Sequence, residues 1–204
     1  MAEGHDGSAP VRAGDRIRAA ARELFYDRGF RGVGVDEIVA RAGVTKPSLY
    51  RGFASKDALV VACLEDYDLR LRSRLDEALA AHPDDPQAGL VAFVDGIATR
   101  SARPGFRGCG LSNAVAEYPE ADHPVRAAAR EGRRALHARL AEVAGTIGAE
   151  APERLADAML LLVEGAFACG QIFGPDGPNR SLSGAAEVLI AASRAGASAS
   201  RAAP

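Results

Sequence analysis

Apolar positions recur along this chain at intervals of three and four, the spacing of amphipathic helices, and nothing in the pattern points to a sheet. Ile17, Ala20, Ala21 and Leu24 form the inward stripe of a first helix predicted from about Asp15 to Arg28, with Gly29 as its stop. Val35, Ile38, Val39 and Ala42 repeat the pattern in a short second helix that Gly43 ends. After the turn Gly43-Val44-Thr45 a third helix is expected. Thr45 is a good N-cap there, and Pro47 falls in the first turn, where a missing N–H breaks no intrahelical bond. Gly52 keeps this helix short. Leu49 and Phe53 would anchor it inward, leaving Thr45, Lys46, Ser48, Tyr50 and Arg51 facing out. Ser55, followed by Lys56-Asp57, caps a fourth helix with an acid in its first turn.

The fourth helix is expected to reach about Ala81, with Leu64, Leu71, Leu75 and Leu79 on one face and His82-Pro83-Asp84-Asp85-Pro86 ending it. At ~1.5 Å per residue it would be on the order of 40 Å long, a rigid lever between a head and a body. Further helices are predicted over about Pro86 to Ser101, Leu111 to Glu117, Pro124 to Ile147, Pro152 to Phe173 and Ser181 to Arg194. Leu155, Met159, Leu162, Val163, Ala166, Phe167 and Gly170 make a wide apolar face whose small residues permit close helix approach, and Leu182, Ala185, Val188, Leu189 and Ala192 do so on the last helix. The fold class is therefore read as all-α. A three-helix unit over 15–58 precedes a helical body over 59–196, between a flexible arm over 1–14 and a flexible tail over 197–204.

Charge sharpens the division. From Pro10 to Lys56, ten basic residues oppose five acids, a net +5, whereas the whole chain carries −2, which leaves −7 outside that window. The chain's two lysines, Lys46 and Lys56, both lie in the basic head. Such a head on an acidic body directs one end at a polyanion. A short second helix laid on a partner by a tight turn also has the outline of a DNA-reading helix-turn-helix, whose second helix meets base edges in the major groove.

Gly29-Phe30, Val35-Asp36, Ile38, Ala42-Gly43-Val44-Thr45, Leu49-Tyr50, Phe53, Ser55-Lys56 and Leu59 closely resemble the N-terminal domain of the TetR/AcrR (tetracycline-repressor type) transcriptional regulators. The resemblance implies a helix-turn-helix domain followed by a helical domain for effector binding and dimerisation. It implies DNA contacts by Thr45, Lys46, Ser48 and Tyr50, with Lys56 reaching a phosphate at the start of its helix; Arg51 belongs to the same outward set. Val33-Gly34 stands where the family often has a capping Thr or Ser, and Gly52 where it often has His or Tyr, so weaker affinity per half-site is expected. The segment from Arg107 through Asn113 and Glu117 to Arg126 is similar to the body of one branch of these regulators. By resemblance, the last two long helices pair with those of a second subunit, and a two-fold dimer would set its reading helices about 34 to 36 Å apart on a near-palindromic operator.

The expected partners are thus double-stranded operator DNA, a small and largely apolar effector, and a second copy of the chain. Phe93, Cys109, Leu111, Tyr118, Met159, Phe167 and Gln171 are the candidate lining of an effector pocket; the same residues could simply pack the body. The predicted function is a cytoplasmic homodimeric repressor released by its effector. The alternatives are a ligand-responsive activator and a redox or electrophile sensor acting through Cys109, which sits between two glycines near Arg107. Cys63 and Cys169 lie on apolar helical faces and read as core. No enzyme is expected, because no nucleophile, base and orienting partner are grouped. Three cysteines without CxxC spacing and four scattered histidines imply no disulfide framework, metal or cofactor. The apolar run from Met159 to Phe173 is broken by Glu164 and Gln171, and reads as a buried helix too short for a bilayer.

Overall fold

The computed structural model describes residues 12–200. Among them the chain forms α1 (Ala13–Arg28), α2 (Val35–Ala42), α3 (Lys46–Gly52), α4 (Lys56–Ala80), α5 (Pro86–Ser101), α6 (Gly110–Glu117), α7 (Pro124–Ile147), α8 (Pro152–Phe173) and α9 (Leu182–Ser200), with no strand. The fold is all-α, as the spacing of apolar residues requires. Two 3-10 turns, Gly174–Asp176 and Pro178–Ser181, fill the expected connector between α8 and α9.

The boundaries follow from local chemistry. Prolines open α5, α7 and α8, where the first N–H groups have no helical partner. Gly43 and Gly148 close α2 and α7 in the left-handed conformation. Ser55 Oγ accepts the Ala58 N–H at 3.0 Å and caps α4, and Asp85 does the same for α5 through Ala88 at 3.0 Å. Two expectations change. Helix α1 already includes Ala13 and Gly14, so the flexible arm is not seen there, and residues 1–11 lie outside the described residues. Helix α9 continues to Ser200, beyond the predicted end near Arg194; of the expected tail, 201–204 lie outside the described residues.

The chain divides after Cys63 into two compact units. In the first, α1 packs on α2 and α3, and Ile17, Ala21, Val33, Ile38, Leu49, Leu59 and Val60 are wholly buried. Phe25 and Phe30 add a tilted ring pair with centroids 5.4 Å apart. The second unit is built on α7 against α8, with α5 packed on α8 and α9, and α6 on α7. Its largest buried side chains include Leu71, Leu75, Leu90, Ile97, Leu111, Leu136, Leu140 and Met159; Leu79, expected on this stripe, is half-buried. Close approaches need glycine here: a Cβ on Gly132 would lie 2.8 Å from Leu111 Cδ2, and one on Gly170 would lie 2.5 Å from Ser101 Cβ. A buried polar link completes the packing, with Asn179 Nδ2 donating to Ser101 Oγ at 2.7 Å and to the Ala166 carbonyl at 2.8 Å.

Candidate functional site

Helix α3 is two turns long and takes its orientation from Leu49, which is fully buried beneath it, while Phe53 is half-buried just past its end. The opposite side carries Thr45, Lys46, Tyr50 and Arg51, all exposed, with Ser48 at the margin. Thr45 occupies the N-cap position with extended backbone, yet its side chain makes no capping bond. Its hydroxyl instead lies 3.1 Å from the Ser48 hydroxyl, and Arg51 Nη2 donates to the same Ser48 Oγ at 2.9 Å. Lys46 Nζ pairs with Asp36 Oδ1 of α2 at 2.7 Å; that hydrogen bond and charge raise the lysine pKa above its ordinary value, so Lys46 is cationic at neutral pH. Lys56 Nζ reaches the Arg31 carbonyl at 3.5 Å. Further pairs join the head internally, Arg28 to Glu37 and Arg41 to Glu23. The result is a row of hydrogen-bonding and cationic side chains about two helical turns long, on a helix that a glycine turn fixes against α2.

In the second unit, Phe93, Cys109, Leu111, Tyr118, Met159 and Phe167 are all buried, but Gln171 is exposed, with its Oε1 next to Gly108. The cavities of about 180, 310 and 490 Å³ described for this unit are lined by other residues, among them Arg139, Arg154 and Asp95. Cys109 is the N-cap of α6, where its Sγ accepts the Ser112 N–H at 3.4 Å. Sequence proximity pointed to Arg107 as its basic neighbour; the fold also brings Arg133 of α7, whose Nη2 meets Sγ. Arg133 Nε also lies 2.6 Å from Glu164 Oε1 of α8, and Ser112 Oγ donates to Glu164 Oε2 at 2.7 Å. This Cys109-Arg133-Glu164-Ser112 cluster is a site that sequence reasoning missed, because its members are up to 55 positions apart. Cys63 is buried as expected, whereas Cys169 is only half-buried. Among the described residues no group of His, Cys, Asp and Glu could hold a metal.

Comparison with known proteins gives this geometry a lineage. Residues 17–63 match the family model for bacterial regulatory proteins of the tetR family. The chain is 34% identical over 159 residues to the transcriptional regulator AcuR of Cereibacter sphaeroides, covering 74% of this chain and 72% of AcuR. The chain belongs to the TetR family. The crystal structure of a TetR-family transcriptional regulator from Streptomyces coelicolor superposes with a TM-score of 0.82 at 31% identity, over 89% of this chain and 96% of that one. The transcriptional activator FasR of Mycolicibacterium smegmatis is 44% identical over 85 residues, which span 40% of this chain and only 39% of FasR. An N-terminal helix-turn-helix and a C-terminal helical domain, with a DNA-binding role in transcription, are the shared ground of this TetR-family chain and its relatives.

The outward face of α8 differs from expectation, whereas the row expected on α9 keeps Ala185, Val188 and Ala192 exposed and only Leu182 buried. Leu155, Met159, Val163, Ala166, Phe167 and Gly170 are consumed by the core, and on α9 it is Leu182, Ala186 and Ile190 that turn inward. The apolar residues left exposed are Leu161, Ile172 and Phe173 on α8 and Val188 on α9, each more than half exposed, with Gly165, Ala168, Gly184, Ala185 and Ala192 between them. Periodicity identified the helices as two-faced and could not tell which face the core would claim. The stretch Pro152–Asp176 proves long and apolar enough to cross a membrane, with mean hydropathy 1.5, which corrects the expectation that it is too short. Its packing on α5, α7 and α9 makes it a core helix of this regulator.

Proposed function

We propose that this protein is a cytoplasmic, homodimeric, one-component repressor whose α3 reads a near-palindromic operator and whose helical body releases the DNA when a small, largely apolar effector binds. The observation that carries the reading is the exposed row Thr45, Lys46, Tyr50 and Arg51 on a helix anchored by Leu49. Side chains of this kind serve both purposes required of a reading helix, since hydroxyls and phenol meet base edges while cations meet phosphates. The exposed row of Leu161, Gly165, Ile172 and Val188 supports pairing with a second copy, because small residues among large ones let helices approach closely. A protein that leaves DNA on binding its effector acts most simply by occupying the site, hence repression.

Effector release requires the ligand to bind the free and DNA-bound forms unequally, by a few kcal/mol at most. The 25-residue α4 is the element that would carry the change, since it belongs to both compact units. The test is a gel-shift and footprint on DNA upstream of the protein's own gene, using the intact chain and a variant with Thr45, Lys46, Tyr50 and Arg51 all changed to Ala. The intact protein should protect a discrete two-fold site and the folded variant should not; equal protection by both would end this assignment.

A second reading is supported by the cluster around Cys109. The Ser112 N–H and Arg133 Nη2 both approach Sγ, and Arg133 also meets Glu164, so modification of this sulfur would disturb a link between α6, α7 and α8. Hydrogen peroxide would transfer one oxygen to the thiol, giving a sulfenic acid and water. Operator release by peroxide that persists in Cys109→Ser would dismiss this sensor.

A further inference from the structure

Among the described residues Arg100 and Arg133 hold buried guanidinium nitrogens that make no hydrogen bond, and of the two only Arg133 lies against a carboxylate, that of Glu164. Arg100 lies in the last turn of α5, where a guanidinium would ordinarily turn toward the free carbonyls at the helix end. Here it folds back the other way: a Cβ on Gly96, one turn earlier, would lie 3.6 Å from Arg100 Nη1. Its Nη2 is buried and meets no hydrogen-bond acceptor. The groups that act on its charge are Arg74 of α4 and Arg103, which disfavour it, and Tyr67, which favours it. Burial and the two neighbouring arginines push its pKa down to about 10, so it keeps its charge at neutral pH in surroundings that disfavour it.

A buried guanidinium N–H without an acceptor, held near two further positive charges, is destabilising for the folded chain. Neighbouring Ser101 supplies the polar contact of that turn, to Ala98 and Asn179. A guanidinium fork is matched by an anion with two oxygens in a plane or a tetrahedron, which it holds through paired N–H bonds. Gly96 leaves open the space beside Nη1 that a side chain would fill.

We propose that Arg100, flanked by Arg74 and Arg103, anchors the oxyanion head of the effector, a carboxylate or a phosphate. This rests on the reading of the body as an effector domain and narrows it: the ligand is an organic anion, its apolar part lying elsewhere in the body.

The probes are octanoate, octyl phosphate and the neutral octanamide, added to the full chain at constant ionic strength while thermal unfolding is followed. At about a hundredfold excess over Kd, an anion that engages Arg100 should raise Tm by about 5 to 10 °C. Octanamide should leave it unchanged, and Arg100→Gln should weaken the anion response by about tenfold or more in Kd. A response to one anion alone, or to both, supports the proposal and identifies the head group. No response to either, an equal response to octanamide, or an undiminished response in Arg100→Gln overturns it. Arg100→Met in anion-free buffer provides a check on folding: its Tm should equal or exceed that of the native chain, and a fall of several degrees would show that Arg100 is already partnered and defeat the idea. Gel-shift of the native chain without any anion tests the regulator reading separately, so the two can fail independently.

Discussion

Asn179 offers the most direct test of how the body is held together. It sits in the 3-10 turn before α9, almost wholly buried, and both bonds from its Nδ2 are short, 2.7 Å to Ser101 Oγ and 2.8 Å to the Ala166 carbonyl. Through them one side chain joins the α8–α9 connector to α5 and to α8. Replacement by Ala removes both donors and leaves two buried acceptors facing a small void. A buried polar group deprived of its partner costs about 1 to 3 kcal/mol. Ser101 keeps its own bond to the Ala98 carbonyl at 2.7 Å, which places its share near the low end. The sum is about 3 kcal/mol, and at about 2 to 4 °C per kcal/mol for a chain of this size the melting temperature should fall by about 6 to 12 °C. Circular dichroism at fixed protein concentration reads this directly. Ser101→Ala should cost only about 1 kcal/mol, because Asn179 retains Ala166. The double variant should cost less than the two singles together, since their common bond is lost once. A shift below about 2 °C for Asn179→Ala, or strict additivity, would refute this account.

Four further outcomes can be stated. Gly43 closes α2 at φ +62°, so Gly43→Ala should destabilise the head by about 1 to 2 kcal/mol in urea unfolding. Gly132→Ala and Gly145→Ala, both in α7, should differ in sign: the first drives a Cβ into Leu111 and Asp68 and costs about 1 to 3 kcal/mol, while the second meets open space and gains up to about 1 kcal/mol, as thermal melts would show. If Lys46 meets a phosphate, Lys46→Ala should lower the salt slope of operator binding by about 0.9 per half-site. Asp36→Asn, which frees Lys46 from its partner and removes an anion from that face, should tighten binding at low salt, measured by fluorescence anisotropy.

Much of this architecture was legible because helix ends are written in local chemistry. Pro86, Pro124 and Pro152 open their helices where predicted, and Gly43 and Ser55 mark boundaries within a residue or two. The outward set of α3 was legible for a related reason, since a helix this short with Leu49 beneath it has only one way to face. What escaped depends on contacts between distant segments. Arg133 reaches Cys109, and Glu164 reaches Arg133, only once α6, α7 and α8 are packed. Phe93, Leu111 and Met159 were recognisable as apolar, but the residues that fill a core are the kinds that line a cavity. The inward turn of Met159 and Val163, which the sequence offered as part of a helix-pairing face, was likewise hidden, because the rows of α8 that the core takes and leaves are both apolar.

Helix α3 has seven residues, too few to hold its shape alone in water, so its order is borrowed from the residues beneath it. A genetic screen for inactive alleles should therefore recover substitutions at Ile17, Ile38 and Leu49, which no nucleotide could touch, as readily as those at Lys46 or Tyr50. The two groups would separate on heating: interior alleles should regain function at low temperature, while surface alleles should stay silent at every temperature.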